Sequence, residues 1–572
     1  MFGNFASFAP LPTTQDGKPR IIPPPTPLTF PSSTPQSPDY IPPGDIPLVT
    51  FLQTIHRPAD IKLSHFEKLG VHIIPDASPQ DFLPDPSFLP PVQEWTNVPE
   101  EHLEDATTAS KRLLSNGNQG PGVKNYLDRR RELSIDNTAA FRTVRRLPQP
   151  KGTSAARLGN AYEFYKNLEV FSSYWIDTSL PKETSPPPTA TENDAEKQTE
   201  EEPKEAEDKV PIYQQTHVRT GTGSQLPHEF RQGITTAFIK LIAYDFGCNV
   251  SFPRVEPRLH IHSPPSKSST PPSNFSAMGV TMLYRTPTDR NSARAGFLEG
   301  PLAALSCRSA TSFTTPLDSN LDLAREIITI LLTAQQRNRE GQTEKLFGAE
   351  KWWTTAPRWG GGKGGPIGKE IETTQSNSSP APTSSQDKSF MSEIKSKIGG
   401  INSLPSLPSL PSAPFPQSIT SERRPPQKKP RTTRLGGPSQ LYENYRKMMP
   451  PASTWDKKVR YMAIGKPGGV QGNWDEIFLV SCLNHHVSFL RGRVGKGILE
   501  VLDGEKDGMD GFERTTVWRT KWYDLFLVDD RVEAMGVVWG MMAWIMRGEG
   551  EGEGVNGKVE GGQGGMDVDV DR

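Results

Sequence analysis

Residues 477–493 read IFLVSCLNHHVSFLRGR and contain two apolar runs of strand length, 477–483 and 487–493. A short polar stretch with Asn484, His485 and His486 separates these runs. Short polar connections of this kind join antiparallel strands in β-hairpins. The sequence therefore predicts a hairpin in the C-terminal half, with both histidines at or beside its turn.

Helical and strand patterns extend from this hairpin in both directions. Apolar residues recur at helical spacing on one face of several segments, and short apolar runs bounded by turn residues predict strands. The predicted helices are 157–174, 227–246, 321–337 and 529–546, and the further predicted strands are 258–262, 278–284, 302–307 and 459–464. Strands without regular strand–helix–strand alternation favour antiparallel pairing, so the predicted fold class is α+β, a mostly antiparallel sheet flanked by helices.

Composition divides the chain into ordered and disordered parts. The 572 residues include 56 prolines and 49 glycines, clustered where large apolar side chains are scarce. Such segments cannot offset the entropy of ordering their backbone. We predict a disordered Pro-rich tail (1–48), a partly ordered helical region (49–181), an acidic disordered linker (182–210), the first part of an α+β core (211–359), a large low-complexity disordered insertion (360–437), the second part of the core (438–547) and a disordered Gly-rich acidic tail (548–572).

Charge and cysteine content limit the classes of function. The formal net charge of −1 provides no overall attraction to nucleic acid or to a membrane surface. Cys248, Cys307 and Cys482 lie far apart in sequence and fit neither a disulfide framework nor a CxxC zinc pattern, which favours a reducing compartment. The N-terminus lacks the features of a secretory signal, and the apolar run 534–546 is too short to span a bilayer. We expect an intracellular protein of the nucleus, the cytoplasm or both, with no membrane partner.

Four histidines are weak candidates for metal ligands. His260 and His262 alternate in RLHIHS, which places both side chains on one face of a strand, whereas His485 and His486 follow Cys482 closely. Adjacent residues of a strand point to opposite faces, and the sequence does not show that the two pairs meet. The sequence-based prediction is therefore no metal and no cofactor, with the histidines of the second pair placed in a turn.

Positive charge is concentrated in one segment of the insertion. Six basic residues without an intervening acid form this run: Arg423, Arg424, Lys428, Lys429, Arg431 and Arg434. The run is typical of a nuclear-import signal or of a nonspecific phosphate contact, and a solvated charge cluster is the alternative.

A tryptophan-rich segment precedes the insertion. Trp352, Trp353 and Trp359 have large apolar rings, and burying them would remove a large area from water. We therefore predict that this segment docks onto the core, and contact with a partner or with a stacked base is the alternative. The glycine run 360–365 does not match a Walker A loop, because Lys363 occupies the first glycine position and Glu370 follows Lys369. No GxSxG or HExxH motif for catalysis is present in the sequence.

These features predict a noncatalytic interaction or scaffold protein, at least partly nuclear, with protein partners reached by its disordered segments. The first alternative is an enzyme, hydrolase or nuclease-like, with a site near Cys482, His485, His486 and either Arg491 or Arg493. The second alternative is nonspecific nucleic-acid binding through the basic run and the tryptophans. The enzyme question stays open at this point, with the lack of catalytic motifs favouring no activity.

Overall fold

The computed structural model describes residues 23–32, 46–55, 57–180, 219–251, 257–262, 273–277, 279–294, 297–338, 358–359, 362–363, 460–467, 472–506 and 514–548. The acidic linker, the insertion apart from 362–363, and the C-terminal tail apart from Gly548 lie outside these ranges. The basic run and the side chains of all three candidate tryptophans are also outside the described residues.

Thirteen strands occur in the described residues. They are β1 (Val71–Ile74), β2 (Cys248–Ser251), β3 (Arg258–Ile261), β4 (Ser273–Ser276), β5 (Val280–Arg285), β6 (Phe297–Arg308), β7 (Arg358–Trp359), β8 (Gly362–Lys363), β9 (Arg460–Met462), β10 (Trp474–Leu483), β11 (His486–Gly495), β12 (Thr515–Arg519) and β13 (Tyr523–Asp524). Nine of these described strands form one sheet in the order β1-β12-β11-β10-β6-β5-β2, with β13 paired to β11 and β9 paired to β6.

The sheet is mixed, so the predicted mostly antiparallel arrangement is only partly matched. The β10–β11 hairpin, β11–β12, β5–β6 and β2–β5 are antiparallel as expected. However, β10 and β9 both run parallel to β6, and β1 runs parallel to β12. Parallel neighbours need long crossover connections, and here α11 and the whole insertion lie between β6 and β10. The sequence pattern does not reveal such a pairing, because the pattern of apolar residues in a strand is the same whether its neighbour runs parallel or antiparallel to it.

Helices cover both faces of the sheet. Among the described residues they are α1 (Leu48–Leu52), α2 (Leu63–Lys68), α3 (Pro79–Phe82), α4 (Val92–Thr96), α5 (Leu103–Ser110), α6 (Val123–Leu133), α7 (Asn137–Val144), α8 (Tyr162–Ser172), α9 (His228–Ala243), α10 (Arg290–Arg294), α11 (Pro316–Asn338), α12 (Lys496–Leu502) and α13 (Val528–Ile545). Side chains of α6–α9 and α13 pack on one face, and those of α1, α2, α11 and α12 pack on the other. Alternate residues of the central strand β10 enter the two cores, which explains why β10 is buried almost throughout.

The boundaries of the predicted helices follow from their caps. Helix α9 is followed by a 3₁₀ turn, and Gly247 ends it with φ +72°, a left-handed conformation that favours glycine. Helix α11 begins at Pro316, earlier than predicted, because Thr315 and Asp318 cap it reciprocally through side-chain and backbone bonds of 3.0 and 3.2 Å. Helix α13 is almost fully buried, as its apolar sequence predicts.

The region 49–181 packs on the core over its described residues. Its helices contribute to both hydrophobic cores, and Val71–Ile74 adds the edge strand β1, which the sequence pattern did not predict. Among the described helices none is both long enough and apolar enough to cross a bilayer. The described part of the N-terminal tail, residues 23–32, has no helix or strand and touches the sheet edge at which β6 and β10 end.

Candidate metal centre

Two histidines and an aspartate meet at that edge of the sheet. Strands β10 and β11 form the predicted hairpin, with Leu483 opposite His486 and a two-residue turn of Asn484 and His485. Asn484 has φ +56°, a conformation that asparagine tolerates better than most residues. Strand β13 then pairs with the start of β11, placing Asp524 directly opposite His486. The turn and the short strand together create the site.

The carboxylate of Asp524 lies close to both imidazoles. Its Oδ1 is 3.9 Å from Nε2 of His485, and its Oδ2 is 3.7 Å from Nε2 of His486. The centroids of the two imidazole rings are 4.2 Å apart. Ligand atoms of all three residues lie within 4.8 Å of one another, which makes this the one group of three metal-ligating side chains found in the described ranges. We call these three residues the His–Asp cluster.

Hydrogen bonds hold Asp524 in place. Its Oδ2 accepts a 2.5 Å bond from the hydroxyl of Thr178, and its Oδ1 accepts a bond from the backbone N–H of Phe526. The backbone N–H of Asp524 donates to Asp530, and that of Leu525 donates to the carbonyl of His485. These bonds couple the hairpin turn to β13 and hold the carboxylate of Asp524 beside the two imidazoles.

The loop that carries Thr178 is itself anchored in the core. Asn137 donates to the carboxylate of Asp177 at 3.0 Å and to the carbonyl of Phe526 at 2.9 Å. The fully buried Arg531 donates to Asn137 at 2.6 Å and to the carbonyl of Leu133 at the same distance. This second layer of polar contacts links α6, α7 and α13 to the loop and fixes the position of Thr178.

Aromatic packing orients the ring of His485. Ring centroids of Trp175 and Phe526 are each 5.0 Å from it, and Phe171 lies at 6.4 Å. Within the described part of the chain, Nδ1 of His485 and Nδ1 of His486 are buried without a hydrogen-bond partner. Metal-bound histidines commonly donate a hydrogen bond from the second nitrogen. Neither histidine has such a bond in the described residues, and the aromatic rings alone orient His485.

Burial shifts the pKa values of all three residues of the cluster away from their usual values. Burial lowers the pKa of His485 well below its usual value, reinforced by His486, and burial lowers the pKa of His486 to about 4. The pKa of Asp524 rises to about 6, mainly through burial, with the hydrogen bond from Thr178 opposing the rise and Asp530 adding to it. Near neutral pH both imidazoles are neutral, so their approaches to Asp524 are not ion pairs.

This set of groups fits a divalent transition metal. Neutral imidazoles and a carboxylate are ligands for Zn²⁺ and Fe²⁺, with bonds of about 2.0–2.2 Å. Tetrahedral bonds of that length place ligand atoms about 3.4 Å apart. The separations of 3.7 and 3.9 Å involve different oxygens of Asp524, and the three ligand atoms lie within 4.8 Å of one another, so binding one ion requires these side chains to move closer together. The buried Arg531 interacts electrostatically with Asp524, and a bound cation would add positive charge directly at the carboxylate.

The structure does not join Cys482 or the arginines to this cluster. The thiol of Cys482 is fully buried, accepts from the hydroxyl of Thr235 at 2.9 Å, and has a pKa well above its usual value through its contact with Cys307 and burial. Arg491 and Arg493 lie five and seven residues along β11 from His486, about 17 and 23 Å away at strand spacing. They bind Glu476 instead.

His260 and His262 belong to a different part of the fold. They lie on and just after β3, which pairs with β4 in a separate two-stranded sheet, and their ring centroids are 6.3 Å apart. The side chain of Gln335 on α11 bonds both the N–H and the carbonyl of His260, at 3.0 and 2.9 Å. The structure thus gives this pair a structural setting among apolar residues. Of the four weak metal candidates, only His485 and His486 join a third ligand.

A second buried polar cluster lies on the opposite face of the same edge. We call Arg308, Asp322, Glu326 and Arg519 the charged network. Arg308 ends β6 and lies 2.7 Å from Asp322 and 3.0 Å from Glu326, and Arg519 ends β12 and also binds Glu326. Burial raises the pKa of Glu326, but Arg519 and then Arg308 outweigh burial and lower it. Each carboxylate here has a guanidinium partner.

Comparison of the chain with protein-family models, with curated proteins and with solved structures found no match.

Proposed function

We propose that this protein is a divalent-metal-dependent hydrolase with its metal bound by His485, His486 and Asp524. The observation that carries the proposal is the convergence of these three ligand atoms within 4.8 Å. Structural zinc sites use four protein ligands, whereas catalytic sites use three and leave a position for water. A three-ligand site is therefore better suited to chemistry than to holding the fold together.

The chemistry follows from the ligand set. A divalent cation held by two neutral imidazoles and one carboxylate would keep a net positive charge, and it would supply Lewis-acid activation of water and of a substrate carbonyl or phosphoryl oxygen. Asp524 loses its proton near pH 6, so the site is ready for a metal at neutral pH. The enzyme alternative from the sequence is thereby favoured, but with Asp524 in place of Cys482.

Metal binding is tested first on the full chain. Zinc titration calorimetry on chelator-treated protein at pH 7.5 is expected to show one site per chain. Because outer-shell changes alone weaken metal sites about 10–100-fold, His485→Ala and Asp524→Asn are expected to weaken binding by more than that. His102→Ala, an exposed histidine on another segment, is the matched control and should bind as the parent does. Zinc binding that survives Asp524→Asn would refute the site.

Hydrolysis is tested with two chromogenic probes, p-nitrophenyl acetate for acyl transfer and bis(p-nitrophenyl) phosphate for phosphoryl transfer. Zinc- or cobalt-loaded protein is expected to cleave at least one probe, and His102→Ala should retain that rate. If the metal-loaded parent cleaves both probes no faster than Asp524→Asn does, the hydrolase proposal is wrong. The proposal of a metal site would not be affected by that result.

The interaction or scaffold function predicted from sequence remains a separate proposal. It depends on the linker and the insertion, which lie outside the described residues. Affinity purification of the tagged full-length protein with and without nuclease, followed by mass spectrometry, tests it. Stoichiometric protein partners that survive nuclease support it, and recovery of the protein alone contradicts it.

A further inference from the structure

Residues 23–32, PPPTPLTFPS, form a segment without helix or strand that lies along the edge that carries the His–Asp cluster. We call them the N-terminal segment. Its first half is bound at the 219–223 loop: Arg219 donates to the carbonyl of Pro23 at 3.1 Å, and the N–H of Gly223 donates to the hydroxyl of Thr26 at 2.7 Å.

Its second half is bound at the loop that follows β6. The N–H of Thr29 donates to the carbonyl of Thr311 at 3.0 Å, and the N–H of Phe313 donates to the hydroxyl of Thr29 at 2.9 Å. Leu28 packs against the hydrophobic core on the α9 side of the sheet. Both halves are thus recognised through backbone groups, threonine hydroxyls and one apolar contact.

Phe30 lies on the candidate metal ligand. Its ring is stacked on Trp522 with centroids 5.1 Å apart and meets His486 edge-on at 5.0 Å. Most residues of the segment are nonetheless exposed or half-buried, and Phe30 keeps 38% of its surface exposed. Fully burying a Leu or Phe side chain contributes about 1.5–3 kcal/mol, and Leu28 and Phe30 are only partly buried, so we expect a competing peptide to displace the segment.

The surface beneath the segment is built by the rest of the chain. The buried Arg231 donates to the carbonyl of Gly223 at 3.1 Å and to the side chain of Asn484 at 3.0 Å, joining the 219–223 loop to the hairpin turn. Gly223 also packs so closely on Trp175 that an added Cβ would lie 2.5 Å from the ring. These contacts lie within the rest of the chain and shape the surface beneath the N-terminal segment, which we call the groove.

We propose that this groove is a binding site for extended proline-rich peptides that carry an aromatic residue, and that the N-terminal segment is its built-in occupant. Proline-rich peptides are preorganised in an extended helix and lose little entropy on binding. The aromatic residue of such a peptide would lie beside the metal of the proposed function. Only this placement of a peptide as a substrate depends on the proposed function; the peptide binding itself does not. Ligands in open sheets commonly bind at the carboxyl ends of parallel strands, where β6 and β10 end here.

The test uses the full-length protein and a fluorescein-labelled peptide of sequence PPPTPLTFPS, followed by fluorescence anisotropy. A tethered segment competes at an effective concentration in the millimolar range. The variant Thr26→Ala/Thr29→Ala/Phe30→Ala should release it and bind the labelled peptide at least about tenfold more tightly than the parent. Ser32→Ala, an exposed change in the same segment, is the control and should match the parent.

Hydrogen exchange provides a second readout. The amides of Gly223 and Phe313 lose their acceptors in the triple variant, so their exchange should accelerate, and added peptide should slow it again. Peptide binding equal in parent and triple variant, or none in a triple variant that retains the parent's melting temperature, would overturn the proposal. All titrations are run without metal and repeated in Asp524→Asn. If Asp524→Asn still binds the peptide and the parent fails to bind zinc, the groove proposal stands and the metal site is rejected.

Discussion

The charged network and the His–Asp cluster lie at the same edge of the sheet, on opposite faces, and differ in how their buried charge is balanced. In the network two guanidinium groups face two carboxylates, and Ser481 adds a 2.7 Å hydrogen bond to Glu326. In the cluster Asp524 faces two neutral imidazoles, and its pKa rises to about 6. Burial also raises the pKa of Asp322, but that carboxylate contacts Arg308 directly, whereas Asp524 contacts two neutral imidazoles and interacts electrostatically with Arg531 without forming an ion pair with it. This difference makes the His–Asp cluster, and not the charged network, the candidate cation site.

The largest expected effect comes from breaking the balanced side. Glu326→Gln leaves Arg308 and Arg519 buried without their shared carboxylate, and removing one partner of a buried pair costs about 3–5 kcal/mol. Denaturant unfolding at pH 7 measures the loss. Asp128→Ala is the control, because its ion pair with Arg131 is exposed and worth at most about 1 kcal/mol. A loss below that of the control would show that the network does not stabilise the fold.

The opposite behaviour is expected for Asp524→Asn in the metal-free protein. The folded-state pKa of about 6 exceeds the unfolded value of about 3.9, so stability contributed by the protonated form is lost as pH rises from about 4 through 6. The amide has no such loss. The difference in free energy of unfolding, variant minus parent, should therefore increase by about 2 kcal/mol between pH 4.5 and pH 7.5. Urea unfolding at both pH values checks this, and a difference independent of pH would contradict it.

A smaller effect is expected from Thr178→Val, which removes the hydroxyl that lowers the pKa of Asp524. The pKa of Asp524 should rise further, so a metal must displace a more tightly held proton. A lost hydrogen bond of about 1 kcal/mol corresponds to about fivefold weaker zinc binding at pH 6. The difference should shrink by pH 8, where Asp524 is ionised in both proteins. Thr108→Val, an exposed helix position, is the control and should leave zinc affinity unchanged.

Local patterns predicted much of the core from sequence. The 477–493 hairpin, helix α9 with its glycine cap and the apolar helix α13 are all present, because each is determined by residues close together in the chain. Direction and order of strands depend on distant partners. The parallel pairing of β6 with β10, which are separated by α11 and the insertion, and the short edge strand β1 left no such local signal.

The site was half predicted for the same reason. His485 and His486 were placed at the turn, but Asp524 reaches them only through the two-residue strand β13, which is too short to produce an alternating pattern. The hydroxyl of Thr178 comes from 346 residues away. Cys482 was a neighbour in sequence only, because its side chain points into the core on the α9 side, towards Thr235.

Cobalt titration at two pH values tests the central claim most directly. Cobalt substitutes for zinc in His and carboxylate sites, and its visible absorption reports a tetrahedral environment. At pH 7.5 the parent should bind one cobalt ion with tetrahedral absorption, and at pH 5 affinity should fall by about tenfold because Asp524, with its pKa of about 6, is then protonated. Absence of this absorption at pH 7.5, or the same spectrum and affinity in Asp524→Asn, would contradict the assignment of a metal to the His–Asp cluster.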